Sequence, residues 1–185
     1  MTALRITTGT LRGRRIAIPK GEIRPTSERA RQAFFNIVQG RLAGGRFLDL
    51  FAGSGIFSFE AVSRGAKEAI AVDSSRAATA AIEREARALE VPVRTINADA
   101  LAGIKRLRGE VLDVIYADPP YDYDGYDDLL MSIDAELTLA TDAIVAIEHR
   151  RRTQPFGSSS THAPNQLRFS RRAEYGEVWI TFFIT

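Results

Sequence analysis

From Arg46 onward the chain alternates apolar runs with amphipathic stretches. The segments RFLDLFA (46–52), EAIAVD (68–73), VRTINA (93–98), LDVIYAD (112–118) and AIVAIEH (143–149) carry few polar positions, the pattern of strands buried on both faces. Between them, Ile56–Arg64, Ser75–Leu89, Ala102–Leu107 and Tyr126–Ala135 read as helices, with Ala78, Ala81, Ile82 and Leu89 on one side of the second. Strands of this kind separated by helices predict an open, doubly wound α/β domain whose mostly parallel sheet is covered on both faces. Ligands of such sheets sit at the carboxyl ends of the strands. The chain closes with LRFSRRAEYGEVWITFFIT, where two strand runs flank Glu174–Gly176 as an antiparallel hairpin, after a polar loop, QPFGSSSTHAPN.

The N-terminal part follows a different pattern. Two short β-prone runs, Leu4–Thr8 and Arg14–Ile18, are separated by a segment carrying Gly9 and Gly13 and predict a small β-hairpin. In RPTSERARQAFFNIV the apolar positions Ala30, Ala33, Phe34, Ile37 and Val38 make one helical stripe, with Arg29, Gln32 and Asn36 opposite and Pro25 with Thr26 or Ser27 as the start signal. The expected organisation is a hairpin appendage over residues 1–22 and one domain over 23–185.

Charge sharpens this division. The 185 residues sum to a formal +2, but residues 1–41 hold nine Lys and Arg against two acids, a local +7 that leaves −5 for the rest. Eight of the nine are arginines, whose planar fork suits phosphate oxygens, so a polyanion is the natural partner; a merely solvated face is the alternative. Arg5, Arg12, Arg14, Arg15, Arg24 and Arg29 are the candidate nucleic-acid contacts, although Arg24, Thr26 and Arg29 could instead line a cofactor. With no cysteine and only His149 and His162, the chain offers neither disulfides nor thiolate sites and too few imidazoles for a histidine-built metal centre. No apolar run reaches membrane-span length, and the first twenty residues are too charged for a signal peptide, so a soluble, cytoplasmic protein is expected.

The candidate chemistry lies at the strand ends. LDLFAGSG (48–55) runs a strand into a glycine turn and a helix, where Gly53 and Gly55 allow close backbone approach to a ligand. Asp73 ends the next strand, where a carboxylate can accept the hydroxyls of a ribose. A dinucleotide fingerprint would need Gly or Ala at Ser58, and no phosphate-binding Gly-Lys-Ser or Gly-Lys-Thr follows. Asp99, in NADA, can take an amino proton from a purine beside the backbone of Ala100, or cap a helix. Asp49, Asp73, Asp99 and Asp118 thus stand at or near one edge, costly to bury without partners.

In Asp118-Pro119-Pro120-Tyr121 the chemistry of an amine becomes specific. An exocyclic nucleobase amine or an amide nitrogen is a poor nucleophile because its lone pair is delocalised. Asp118 can accept one N–H and the Pro119 carbonyl the other, which aims the lone pair at an electrophile. Two prolines stiffen the loop and add no competing donor, and Tyr121 offers a stacking surface for a flipped base. Three amines meet this description: guanine N2, adenine N6 in DNA and a glutamine amide. A non-catalytic RNA-binding assembly factor and a nicotinamide dehydrogenase are the rivals from other classes.

LDLFAGSG, VD, NADA and DPPY together resemble the amino-methylating Class I S-adenosylmethionine-dependent methyltransferases. More narrowly, RITTGTLRGRRIAIP, IRPTSERARQAFFNIV, FEAVSRGAKEAIAVD, DPPY and YGEVWITFF resemble the RsmD-type enzymes that methylate N2 of a guanine in 16S rRNA. The resemblance implies a Rossmann-like seven-stranded sheet, an RNA-contacting N-terminal hairpin, S-adenosyl-L-methionine as cofactor, no metal, and 16S rRNA in an assembled or partly assembled small ribosomal subunit as the partner of a monomer. It assigns Asp49, Phe51, Ala52, Gly53, Ser54, Gly55, Asp73, Ser74, Asp99, Ala100 and Thr26 to the cofactor, and Asp118, Pro119, Pro120 and Tyr121 to catalysis. Thr8 departs from it where a second glycine is usual, as does Asp73 where Glu is more frequent. The acidic run 122–128 reads as a solvated helix start.

Overall fold

The computed structural model describes residues 3–17, 28–153 and 166–185. Ala3–Arg5 (β1) and Arg15–Ala17 (β2) pair antiparallel, with Leu4 opposite Ile16. A seven-stranded sheet contains β3 (Arg46–Leu50), β4 (Glu68–Asp73), β5 (Val93–Asn97), β6 (Val111–Ala117), β7 (Thr138–Arg150), β8 (Arg168–Tyr175) and β9 (Val178–Ile184), in the order β5-β4-β3-β6-β7-β9-β8. Strands β3 to β7 pair in parallel, and β9 runs antiparallel to both β7 and β8. The expected mostly parallel sheet with a C-terminal hairpin is therefore the observed one. The chain enters at β3, steps outward to β5, and returns to β6 on the other side of β3. That reversal opens a crevice at the carboxyl ends of β3 and β6.

Period-two alternation feeds two cores. Phe47 of β3 packs with Phe34, Phe35 and Val38 of α1 (Glu28–Leu42), alongside residues of α2 (Ile56–Ser63) and α3 (Arg76–Leu89). Its neighbours Leu48 and Leu50 face Ile104 of α4 (Ala100–Arg106) and Leu129 and Ile133 of α5 (Tyr126–Glu136). Asp49 has the parity of Phe47 and so is driven into the first core.

Boundaries shift where capping or polar residues override hydrophobicity. Helix α4 starts at Ala100, two residues before the expected Ala102, because the Asp99 carboxylate accepts from Ala102 N at 2.8 Å. Strand β7 begins at Thr138, five residues early, through polar positions that include Asp142 in the left-handed region at φ 57°. The C-terminal turn falls at Gly176 and Glu177, between β8 and β9. The expected loop 154–165, the helix-start signal at 25–27, and Ile18 at the end of the first hairpin lie outside the described residues.

Helix α2 is buried along its whole length: its apolar residues enter the first core, and the hairpin covers its polar positions Glu60 and Ser63. Glu60 accepts from Thr7 N at 3.0 Å, from the Thr7 hydroxyl, and from Arg64 Nε at 3.0 Å. Ser63 donates its hydroxyl to Thr8 O at 2.6 Å and accepts from Leu11 N at 2.9 Å, while its carbonyl accepts from Thr10 N at 2.8 Å. A Cβ at Gly9, which sits at φ 87°, would fall 1.7 Å from the Ser63 carbonyl oxygen, so only glycine permits this approach. Thr8 contributes its backbone carbonyl to the contact. Burial lowers the Arg31 pKa from its ordinary value against the pull of Glu60, whose Oε2 lies 3.9 Å from Arg31 Nε. Arg31 also donates to Arg5 O at 2.9 Å, which ties α1 to the hairpin.

Candidate active site

Sheet register builds the site. Leu50 lies opposite both Val72 and Ala117, and Ala117 opposite Ile147. One residue further, Asp73, Phe51, Asp118 and Glu148 form a row across four adjacent strands at the carboxyl edge. Asp118 N donates to Leu50 O at 3.3 Å, and Ala52 N to Val72 O at 3.0 Å, which holds the row together.

The glycine turn is organised by the carboxylate of the next strand. Asp73 accepts from Gly53 N at 2.7 Å through one oxygen and from Ser75 N at 2.8 Å through the other. Each oxygen uses one acceptor position in this way, and an ionised carboxylate has about four, so room for two hydroxyls remains. Phe51, Gly53 and Gly55 all adopt positive φ, at 63°, 54° and 74°. Gly55 is further required by packing, since a Cβ there would meet Ile82 Cγ1 at 2.8 Å. The buried Ser54 accepts from Ile56 N at 3.4 Å. Beyond β4, exposed Ser74 and Asp73 offer their carbonyls to Asn97 Nδ2. Asp99 is the cap of α4, with Ala100 buried behind it.

Asp49 sits in this crevice almost fully buried and accepts from Ser58 N at 3.1 Å and Ser58 Oγ at 2.7 Å. The residue that spoils the dinucleotide fingerprint is thus the one that holds Asp49. Burial pushes the Asp49 carboxyl up to about 7; the Ser58 bonds oppose the rise, and the charges of Asp118 and Asp73 add to it. Among the described residues no group of three or more acids and histidines could hold a metal ion.

Glu148, which the sequence reading did not single out, is the buried neighbour of Asp118. Burial and the adjacent Asp118 charge raise its pKa well above the ordinary carboxylate range, and Tyr116 donates its hydroxyl to Glu148 at 2.6 Å. Tyr116 is itself stacked on Phe57, with ring centroids 4.0 Å apart. AIVAIE reaches an acid as VIYAD does, but the run continues into His149 and Arg150 with no Gly or Pro to mark an edge. In the loop after β6, Pro120 O accepts from Tyr123 N at 2.9 Å, and among the described residues no donor reaches the Pro119 carbonyl. Tyr121 is 46% exposed, and the Arg150 guanidinium lies 3.6 Å from its ring centroid.

The other predicted contacts divide. Arg5, Arg12, Arg14 and Arg15 are exposed on the hairpin, and Arg29 on α1; Arg24 and Thr26 lie outside the described residues. His149 is buried in the sheet, within hydrogen-bond distance of Thr181 Oγ1 at 2.8 Å, and has no place in the row.

Sheet order, glycine turn and carboxylate row define a Class I methyltransferase fold. Residues 4–184 match the family described as "Conserved hypothetical protein 95", and the chain belongs to that family, the RsmD-type family its motifs resemble. YlbH of Bacillus subtilis is 33% identical over 158 residues, covering 82% of this chain and 85% of YlbH. Ribosomal RNA small subunit methyltransferase D of Escherichia coli K12 is 28% identical over 147 residues, 78% of this chain and 74% of that protein. Among solved structures, TTHA0928 of Thermus thermophilus aligns with a TM-score of 0.77 at 28% identity, over 97% of this chain and 98% of its own.

Proposed function

We propose that this protein transfers a methyl group from S-adenosyl-L-methionine to the exocyclic N2 amine of a guanine in 16S rRNA, acting as a cytoplasmic monomer on the assembled or partly assembled small ribosomal subunit. The observation that carries the reading is Asp118 beside a Pro119 carbonyl that accepts from no donor among the described residues, one strand from the glycine turn. The name of the E. coli relative, a small-subunit rRNA methyltransferase, supplies the substrate class. Residues 1–22 would form the RNA-contacting appendage and 23–185 the catalytic domain.

The cofactor brings a methyl group already activated on a sulfonium. Asp49 would pair with its ammonium group, Gly53, Ser54 and Gly55 would supply the backbone wall beside it, and Asp73 would accept the ribose hydroxyls and Asp99 the adenine amine. Asp118 and the Pro119 carbonyl each accept one N–H of the target amine and turn its lone pair out of the ring plane. Glu148, kept protonated by burial, donates to Asp118 and so relieves a repulsion that would otherwise raise the proton affinity of Asp118. The guanine stacks on the Tyr121 ring face opposite Arg150. Positioning and electrostatics carry the rate, and Asp118 need not be a strong base, because the methylated, cationic nitrogen is acidic.

Labelled methyl incorporation into small subunits lacking their native modification, followed by nucleoside analysis, tests the reading. N2-methylguanosine is expected; methylation of another base, or none, overturns it. Asp118→Ala should retain cofactor binding and lose activity. A variant that keeps more than about a tenth of wild-type kcat, roughly 1.4 kcal/mol of barrier or less, would remove Asp118 from the mechanism.

A further inference from the structure

The running charge sum places the basic excess in the first 41 residues, but the fold assembles a second basic surface beside Asp118. Strand β7 leaves the sheet through Arg150, and Arg151 and Arg152 follow in the turn. Arg150 lies two residues beyond Glu148, about 7 Å along the strand. Through β9, the exposed Arg171 and Arg172 of β8 come alongside. Several other arginines meet acids: Arg46 and Arg94 pair with Glu68 and Glu110, Arg41 with Asp142, Arg87 with Glu83 and Arg108 with Glu136, while others, such as Arg76 and Arg84 on α3, stand exposed and scattered. Among the described residues no carboxylate forms an ion pair with Arg150, Arg151, Arg152, Arg171 or Arg172.

Four of these guanidinium groups lie against aromatic rings instead, Arg171 over Phe182 at 5.3 Å among them. Arg150 covers Tyr121 at 3.6 Å, and Arg172 and Arg151 lie 5.1 Å and 6.0 Å from the Trp179 centroid. A guanidinium laid on a ring keeps its N–H edges outward, where they can fork onto phosphate oxygens. Tyr121, Arg150, Arg152, Val178 and Glu177 line an adjoining cavity of about 300 Å³, in which Glu177 is the one acid among the described residues. Arginines on edge strand β8 also discourage pairing with another chain. That reason does not extend to Arg150–Arg152, since β7 is flanked by β6 and β9.

We infer that Arg150, Arg151 and Arg152, with Arg172 and the Trp179 ring, form a second RNA-contacting surface that grips the phosphates of nucleotides flanking the target base. The inference rests on the RNA-substrate reading and names a partner surface that this reading lacks. Trp179 is the single tryptophan of the chain, so its emission reports on this surface directly. The experiment titrates the full-length protein with a single-stranded RNA oligonucleotide at several salt concentrations and follows both Trp179 emission and binding.

RNA should change the emission of the wild type. The double variant Arg151→Gln/Arg152→Gln should bind RNA more weakly and flatten the slope of log K against log salt by roughly 1.4, about 0.7 per lost phosphate contact on a single strand. Its melting temperature and S-adenosylmethionine affinity should match the wild type. Arg151→Lys/Arg152→Lys should restore most of the slope, because the charge returns. An unchanged slope in the Gln variant, or Trp179 emission indifferent to saturating RNA, overturns the surface. The two readings separate cleanly: a wild type that methylates small subunits while the slope stays fixed keeps the activity and loses the surface. RNA binding with the expected slope but no methylation does the reverse.

Discussion

Asp49 lies two residues before Phe51 of the row, and its carboxyl, held in a dry strand near Asp73 and Asp118, resists ionisation until about pH 7. The ordinary value is 3.8, so between those limits the folded protein keeps a proton that the unfolded chain has released. The unfolded state then binds fewer protons, and this residue's contribution to stability falls as pH rises through the window. Cofactor binding runs the other way, because a cation beside Asp49 favours its ionised form. Affinity for S-adenosylmethionine should therefore weaken below about pH 7, by at most tenfold per pH unit for one proton. Asp49→Asn, which can still accept from Ser58, should flatten that dependence, weaken binding by about tenfold or more near pH 8, and be no less stable than the wild type without cofactor. Calorimetric titration across pH checks this, and equal affinity of the two proteins at pH 8 would take Asp49 out of the cofactor site. At this scale the sequence was legible where an acid follows an apolar run into a loop, as at Asp73 and Asp118. It was silent on Glu148, whose run continues into His149 and Arg150 without a Gly or Pro to mark an edge.

Among the elements, α2 connects the two halves of the function. It starts at the glycine turn and ends on the hairpin, so the backbone that would face the cofactor and the one that carries Arg12, Arg14 and Arg15 are fixed by the same eight residues. Glu60 is central to that link, buried with Arg64 at 2.9 Å and Arg31 at 3.9 Å. Truncating it leaves two buried guanidinium groups without a carboxylate and also frees Thr7. Glu60→Ala should destabilise the protein by about 3–5 kcal/mol, read as an earlier midpoint in urea denaturation. A midpoint within error of the wild type would mean that the pair is solvated and the hairpin docks by other contacts. Helical periodicity located α1 and α2 but could not reveal this arrangement. Arg31 and Glu60 are charged, so a hydrophobic pattern assigns them to solvent; what buries them is the hairpin, a contact more than twenty residues away from Arg31 and more than fifty from Glu60. The strands of the sheet were easier, because burial on both faces writes their limits into composition. β7 is the exception: Thr138 and Leu139 pair with β6 before the register shifts at 140–142, where Ala140 O accepts from Thr185 and Asp142 pairs with Arg41.

Two groups of arginines stand apart in the whole molecule: those of the hairpin, docked at the C-terminal end of α2, and those at the exit of β7, two residues beyond Glu148. A sum along the chain hides the second group by averaging Arg150, Arg151 and Arg152 with the acids of 122–128 around the start of α5. An RNA held by both groups would have its phosphates clear of the carboxylates while one base reaches Asp118. Charge reversal at the hairpin tests that arrangement without touching its anchors. Arg12, Arg14 and Arg15 are exposed, whereas docking runs through Thr7, Thr8, Thr10 and Leu11 onto Glu60 and Ser63. The triple variant Arg12→Glu/Arg14→Glu/Arg15→Glu should therefore melt with the wild type and bind S-adenosylmethionine equally well. Its RNA affinity should drop and its salt slope flatten by about 2, three contacts at about 0.7 each. Methylation should fail through KM for RNA while kcat at saturation holds, because nothing in the carboxylate row has moved. If kcat falls instead with RNA affinity intact, the hairpin shapes the crevice through α2 and does not touch the substrate.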